Sequence, residues 1–240
     1  MGPWQGKFLV SFGNAIFAFV LMVGLLVHSR VRNGHFVSLR NNLFFDQNGA
    51  LRWRNVWLIL ITTGFNSIGT IFFVLAFELA LYSGLNQGVI NALFTLNALI
   101  LALFSCAIFN ERLSPLQIVS VFIMTLSPVL LSMANLEEGW MTDVDPETYI
   151  SPAFTVLAGM GTVVFYGLRS IMIKYMARKG ESAFTVSYWQ LMLDGYIWTI
   201  IGVIYFILRN EAIDGEILLG MAGAGVIAGI GIVSLTISIA

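Results

Sequence analysis

The stretch from Gly88 to Met133 decides the fold of this chain. It reads GVINALFTLNALILALFSCAIF over residues 88–109, NERLSP over 110–115 and LQIVSVFIMTLSPVLLSM over 116–133. Each apolar run is close to the ~20 residues that cross a bilayer as a helix. The polar turn is so short that the second helix must run back beside the first, and Pro115 suits its first turn. The stretch therefore predicts a membrane-embedded helical hairpin.

The rest of the sequence has the same apolar character. Of the 240 residues, 58% are hydrophobic and 10% are charged, whereas a soluble domain carries roughly 25% charged residues. We therefore predict an all-α, polytopic transmembrane bundle of about seven spans. The spans are A (8–27), B (56–82), C (88–109), D (116–133), E (152–175), F (184–208) and G (217–240). The one cysteine, Cys106, lies inside span C, which argues against a disulfide framework and a cysteine zinc site.

The charged residues predict how the spans are oriented. The A–B loop, the C–D turn and the E–F loop share one side of the membrane and contain Arg30, Arg32, Arg40, Arg52, Arg54, Arg112, Lys174, Arg178 and Lys179. Short loops rich in Lys and Arg stay in the cytoplasm. The opposite side has Lys7 and Arg209 as its basic residues, and its acidic residues are Glu137, Glu138, Asp143, Asp145, Glu147, Glu211, Asp214 and Glu216. We therefore place residue 1 outside the cytoplasm.

Two pairs of spans have similar sequences. FLVSFGN at 8–14 in span A resembles FTVSYWQ at 184–190 in span F, and spans B and G overlay so that Gly69 meets Gly229. The two members of each pair cross the membrane in opposite directions, which is the pattern of an inverted-topology repeat. This pattern divides the chain into three parts, namely a first repeat over 1–134, an acidic external linker over 135–151 and a second, truncated repeat over 152–240.

With these features the chain resembles the drug/metabolite transporter superfamily, specifically its EamA-type and nucleotide-sugar-transporter-like members. The most specific likeness is in spans C and D, where NERLS at 110–114 stands for the family's Gly-Glu-Arg-Leu-like turn. Family members have ten spans in two inverted five-span repeats, and they export or exchange small metabolites. The resemblance implies that spans A to G correspond to the second to eighth of these spans, so that the sequence is a fragment of the ten-span fold.

Charged residues inside apolar spans are rare and costly, so each one is a candidate functional residue. The depths of Arg169 in span E and Asp194 in span F differ by only about 5 Å at ~1.5 Å per residue. We therefore predict that the two consecutive, antiparallel spans bring them together as an ion pair. Glu78 lies near the outer end of span B, too far from that depth to join them, and we interpret it as structural or interfacial.

Polar residues recur at helical spacing along several spans, which places them on single stripes. We interpret these stripes as the lining of one central cavity, with a predicted substrate-binding set of Asn66, Asn91, Tyr166, Arg169, Gln190 and Asp194. In a second interpretation, the small and hydroxyl residues serve close helix packing. Arg169 would then extend to the cytoplasmic surface.

The sequence therefore favours an integral membrane transporter that moves a small polar metabolite by alternating access. Its predicted partners are the lipid bilayer and the solute, and a homodimer is a further possibility. We expect no cofactor. The alternative is a seven-span receptor-like or non-transporting membrane protein, which would not need an inverted repeat. The sequence has no metal-ligand spacing and no phosphate-binding loop, so an enzyme is not favoured. The sequence has no nucleic-acid-binding pattern. The basic residues of the loops are explained by the orientation of the chain in the membrane.

Overall fold

The computed structural model describes residues 3–33, 43–46, 48, 50–85, 87–110, 112–116, 118–120, 122–123, 126, 149–209 and 215–239. Within these ranges the regular elements are α-helices, and the one β-type pairing is an isolated antiparallel bridge between Phe45 and Leu51. The helices are α1 (Pro3–Asn33), α2 (Trp53–Ser83), α3 (Gln87–Phe109), α4 (Pro152–Arg178), α5 (Ala183–Arg209) and α6 (Gly215–Ile239). The prediction of an all-α protein is confirmed.

Four helices in the described part are long and apolar enough to cross a membrane. They are Trp4–Gly24 within α1, Trp53–Ser83, Pro152–Arg178 and Phe184–Arg209, which correspond to predicted spans A, B, E and F. Shorter apolar segments lie in α3 and α6, at the places of spans C and G. Span D is described only in part, and the described residues between 115 and 126 are helical. The total of seven spans stays a prediction.

The helices belong to two compact units. Unit 1 comprises Met1–Gly64 and Met172–Ala240, and unit 2 comprises Phe65–Ile171. Unit 1 contains α1, α5 and α6 with the first part of α2 and the last part of α4, and unit 2 contains α3 with the remainder of α2 and α4. The division into two sequence repeats stays a prediction. Residues 135–148 of the predicted linker lie outside the described residues.

In unit 1, α1 packs against both α5 and α6. It runs antiparallel to α5, because Phe8 lies against Gly202 whereas Ala15 lies against Gly195. A Cβ atom at Gly195 would lie only 3.0 Å from the backbone nitrogen of Ala15. The absence of a side chain therefore lets the two helices approach closely, as small residues do in membrane helix pairs.

The contact of α1 with α6 is closer still and runs in parallel. Gly13 lies against the carbonyl oxygen of Ala222, Gly225 lies against the carbonyl oxygen of Val10, and Gly229 lies further along against Phe17. From Gly225 to Gly229 the contacts on α1 move from Gly13 to Phe17, so α1 and α6 point in the same direction. Backbone meets backbone at Gly13 and Gly225, which explains why glycine is needed at these two positions, whereas Gly229 lies against the side chain of Phe17.

The segment before α2 forms a compact loop in unit 1. The Asp46 carboxylate accepts hydrogen bonds from the backbone N–H groups of Asn48 and Ala50, both at 2.8 Å. The backbone N–H of Arg52 donates to the carbonyl of Phe44 at 2.7 Å. Leu43, at the start of this loop, is buried in an apolar cluster whose other buried members are Ile59, Ile173, Met176 and Val186. The loop is therefore packed onto the helices of unit 1.

Asn55 and Glu181 fasten this loop to the turn between α4 and α5. The Asn55 side-chain amide donates to the carbonyl of Leu43 at 2.9 Å and to the Glu181 carboxylate at 2.8 Å. Arg52 forms an ion pair with the same carboxylate oxygen at 3.1 Å. A buried amide thus joins the loop to a charged side chain 126 positions away.

The substitution Asn55→Ala is expected to lower the melting temperature of the detergent-solubilised protein. It removes two hydrogen bonds, each worth about 1 kcal/mol and more where one partner is charged. Differential scanning fluorimetry measures the effect, and Asn48→Ala is the matched control because the Asn48 side chain is exposed in the same loop. Equal melting temperatures for the two variants would show that the amide does not hold the loop.

In unit 2, α2 and α4 are antiparallel and joined by hydroxyl contacts. The hydroxyl oxygens of Ser83 and Thr155 lie 2.9 Å apart. The ring of Phe72 stacks on that of Phe165 at a centroid distance of 5.6 Å. An apolar cluster of Ala76, Ala80, Ile90 and Ala158 fills the space beside them. The hydroxyl pair and the small residues fit the packing interpretation of the polar spacing in these helices.

Candidate functional site

A stripe of polar side chains lies buried along α5 in unit 1. Gln190, Asp194 and Trp198 are spaced four residues apart, and their exposed fractions are 1%, 3% and 5%. The helix around them is long and apolar enough to cross a membrane. A carboxyl group in such a place is costly unless other groups compensate its charge.

A matching stripe follows α1. Lys7, Ser11 and Asn14 are spaced four and three residues apart, which places them on one face of the helix. Ser11 has no exposed surface and Asn14 has 5% exposed, whereas Lys7 is partly exposed. Because α1 and α5 pack together, two buried polar stripes belong to one helix pair.

Lys7 connects the two stripes. Its ammonium nitrogen lies 5.6 Å from the centre of the Trp198 ring, within the range of a cation–π interaction. Asp194 stands four residues before Trp198 on α5, on the same face of that helix. The site therefore combines one positive and one negative side chain with an aromatic face. The attraction between opposite charges is much stronger in a low-dielectric interior than in water.

Several buried polar atoms of these stripes have no hydrogen-bond partner. They include the hydroxyl of Ser11, the carbonyl oxygen of the Asn14 side chain and the indole N–H of Trp198. Most buried polar groups in proteins are hydrogen-bonded, and each exception costs about 1–3 kcal/mol. The indole N–H belongs to the residue whose ring faces Lys7, whereas the Asn14 oxygen lies on the α6 side of α1, near Gly229.

The predicted site residues are distributed over both units. Gln190 and Asp194 belong to the site on α1 and α5, whereas Asn66, Tyr166 and Arg169 are residues of unit 2. The side chain of Asn91 lies outside the described part of the chain. The ion pair between Arg169 and Asp194, and a cavity shared by all six residues, stay predictions.

Tyr166 is engaged within its own unit. Its hydroxyl lies 3.1 Å from that of Thr70, so it links α4 to α2. The nearby side-chain oxygen of Asn97 is buried without a hydrogen-bond partner, 3.6 Å from where a Cβ atom at Gly167 would lie. Unit 2 therefore also contains buried polar groups, one of which is satisfied by a helix-to-helix contact.

Lys7, Ser11 and Asn14 were not among the predicted site residues. Lys7 was interpreted only as a basic residue on the outer side. The sequence did contain a signal, because the similarity between 8–14 and 184–190 aligns Ser11 with Ser187 and Asn14 with Gln190. All four aligned side chains are buried, so the matched positions indicated which face of α1 is polar and enclosed.

A cavity of about 190 Å³ lies on another face of the same helices. Its lining is apolar apart from Thr199 and consists of Phe8, Leu9, Phe12, Thr199, Gly202, Val203, Phe206 and Leu218. The Thr199 hydroxyl already donates to the carbonyl of Gly195 at 2.7 Å. This cavity therefore lacks the chemistry needed to bind a polar solute.

The residues described in the structure include no group of three or more His, Cys, Asp or Glu side chains that could hold a metal ion. Comparisons with protein-family models, with curated proteins and with solved structures find no match. The function is therefore inferred from the side chains of the site on α1 and α5.

Proposed function

We propose that the protein is an integral membrane transporter that moves a small polar solute by alternating access, in the manner of the drug/metabolite transporters that its sequence resembles. The observation that carries this proposal is the buried Asp194 carboxyl group on α5, an apolar helix that packs against α1. Ionisable residues inside membrane helices are retained where they bind a substrate or an ion, since they otherwise cost stability.

Two further features support a carrier. The site lies between α1 and α5, the helices that the sequence similarity relates as spans A and F, and transporters built from inverted repeats bind solute where the repeats meet. The Ser11 hydroxyl and the Trp198 indole N–H are buried without a hydrogen-bond partner, and a solute can satisfy them in each state of the transport cycle. We orient the basic loops towards the cytoplasm by the positive-inside rule.

A release assay with a broad mixture of solutes tests transport. The purified protein is reconstituted into liposomes loaded with defined amounts of amino acids, sugars, nucleosides and organic acids, and mass spectrometry follows their release. We expect at least one solute class to leave faster than from liposomes containing an unrelated multi-span protein.

Equal release of every class from both preparations would contradict the proposal. In that case spin labels on α1 and α5 become informative. A change of their separation on adding a solute, without any release, would favour the receptor-like alternative.

A further inference from the structure

We propose that the apolar cavity between α1, α5 and α6 is a phospholipid site, which holds part of one acyl chain while Arg209 binds the lipid phosphate. The cavity has a volume of about 190 Å³, and all of its lining residues belong to unit 1. It shares no residue with the polar stripes of α1 and α5. The inference therefore does not depend on the proposed transport function.

The wall of the cavity suits hydrocarbon. Its one hydroxyl group, that of Thr199, already donates to the carbonyl of Gly195 at 2.7 Å. An apolar cavity of about 150 Å³ is large enough to bind benzene, so this cavity has room for on the order of six to eight carbon atoms. A chain segment that fills it gains van der Waals contacts with the wall.

The cavity is open on the side where α1 and α5 expose apolar surface. Phe12 and Val203 line it and are 37% and 53% exposed, whereas Phe8 and Leu9 form a buried wall. Both helices are long and apolar enough to cross a membrane, so this exposed surface faces lipid. An acyl chain can therefore enter sideways from the bilayer.

Arg209 lies at one end of the cavity. Thr199, Gly202, Phe206 and Arg209 are spaced three, four and three residues apart on one stripe of α5, and the first three line the cavity. Helical side chains lean towards the N-terminus of their helix, which for Arg209 is the direction of the cavity. The guanidinium carbon accordingly lies 5.3 Å from the centre of the Tyr205 ring, one turn back.

Aromatic rings connect this guanidinium group to the cavity wall. The Tyr205 ring lies 5.1 Å from that of Phe8 and 5.6 Å from that of Phe206, and both of these residues line the cavity. Trp4 adjoins the Phe8 ring at 6.5 Å. Tyrosine and tryptophan are enriched at the level of the lipid headgroups, and arginine near a helix end extends to the same level. This end of the cavity is therefore at headgroup depth.

A phospholipid matches both parts of the site. A guanidinium group binds phosphate through two parallel hydrogen bonds, and its five N–H donors allow this beside other contacts. The lipid joins its phosphate covalently to its acyl chains, so one molecule can occupy Arg209 and the cavity together. Free phosphate would use Arg209 alone, and a diacylglycerol would use the cavity alone.

Three probes separate the two parts of the site, namely dioleoylphosphatidylcholine, dioleoylglycerol and glycerophosphocholine. The first has chains and a phosphate, the second has chains alone, and the third has the headgroup alone. Native mass spectrometry of the whole detergent-solubilised protein measures how much of each stays bound at equal concentration.

We expect one phosphatidylcholine molecule to be retained about tenfold better than dioleoylglycerol, because a charged hydrogen-bonding partner is worth about a factor of ten. Glycerophosphocholine should not be retained. Equal retention of the first two probes, or retention of glycerophosphocholine, would overturn the inference. A lipid-free dimer would also overturn it, since a second copy of the chain would then cover this surface.

Two variants assign the parts of the site. Val203→Phe fills the cavity and should lower phosphatidylcholine retention about fivefold, because the chain loses its contacts with the wall. Ile204→Phe is its control, since Ile204 is 52% exposed and does not line the cavity. Arg209→Gln should lower phosphatidylcholine retention to that of dioleoylglycerol, and Arg178→Gln, at an exposed arginine in the last turn of α4, is its control. Equal retention by either variant and its control would contradict the assignment.

Discussion

Replacement of Gly225 by alanine is expected to destabilise the protein more than any other single methyl addition in α6. The new Cβ atom would meet the carbonyl oxygen of Val10 and would lie 2.9 Å from the Cα of Gly13 and 3.0 Å from the backbone nitrogen of Asn14. All three are backbone atoms, so no side chain can rotate away. Overpacking a tight core costs typically about 1–3 kcal/mol, and we expect the upper end of that range. The melting temperature in detergent measures the effect.

Gly223→Ala is the matched control in the same helix. A Cβ atom at Gly223 has nothing within 4 Å, and alanine favours helix over glycine by about 1 kcal/mol. We therefore expect this variant to melt at or above the temperature of the unsubstituted protein. Equal melting temperatures for Gly225→Ala and Gly223→Ala would contradict the close contact between α1 and α6.

The substitution Asp194→Asn is expected to lower the rate of solute release from liposomes by about 10- to 100-fold. The shape of the side chain is kept, but its negative charge is lost. Interactions with a charged group contribute about 1.5–3 kcal/mol, and about 1.4 kcal/mol corresponds to a factor of ten. Release per reconstituted molecule is measured with the solute class that the unsubstituted protein moves.

Glu78→Gln is the matched control for this experiment. It also removes one carboxylate from an apolar helix, but Glu78 belongs to α2 in unit 2, outside the site on α1 and α5. We expect its release rate to stay within a factor of about two of the unsubstituted protein, since a surface or interfacial carboxylate contributes only about 0–1 kcal/mol. Undiminished release by Asp194→Asn would exclude this carboxylate from the transport step.

The helices themselves were largely predictable from the sequence. Span F was predicted over 184–208 and α5 covers Ala183–Arg209, because a long apolar run between polar segments leaves little freedom in its bounds. The first helix was predicted too short, as 8–27 instead of Pro3–Asn33. Hydrophobicity reports the part inside the membrane, whereas the helix continues through a polar stretch that contains no Gly or Pro between residues 25 and 33.

The candidate site was predictable on one helix and not on its partner. The spacing of Gln190, Asp194 and Trp198 identified the buried face of α5 without further information. The matching face of α1 depends on which helices touch, and α1 is separated from α5 by some 150 residues of sequence. Serine and asparagine are too common for Ser11 and Asn14 to attract attention singly, and the similarity of 8–14 to 184–190 was the sequence signal that marked them.

The glycines of α6 show the same limit. Their dense spacing predicted close packing, but the sequence does not distinguish Gly225, which touches the backbone of α1, from Gly220 and Gly223, which have nothing within 4 Å. Packing is a property of one face of a helix, and an all-round glycine pattern does not show which face has a neighbour.

The shared direction of α1 and α6 limits how many times the chain between them can cross the membrane. Two helices that point the same way begin at the same membrane surface, so the chain that joins them must cross an odd number of times. Helices α2, α4 and α5 are long and apolar enough to provide three crossings, and any others must then come as a pair. Helix α3 and the helical residues between 115 and 126 therefore either both cross or both stay at one surface. The side of the membrane that Arg112 occupies decides between a five-span and a seven-span protein.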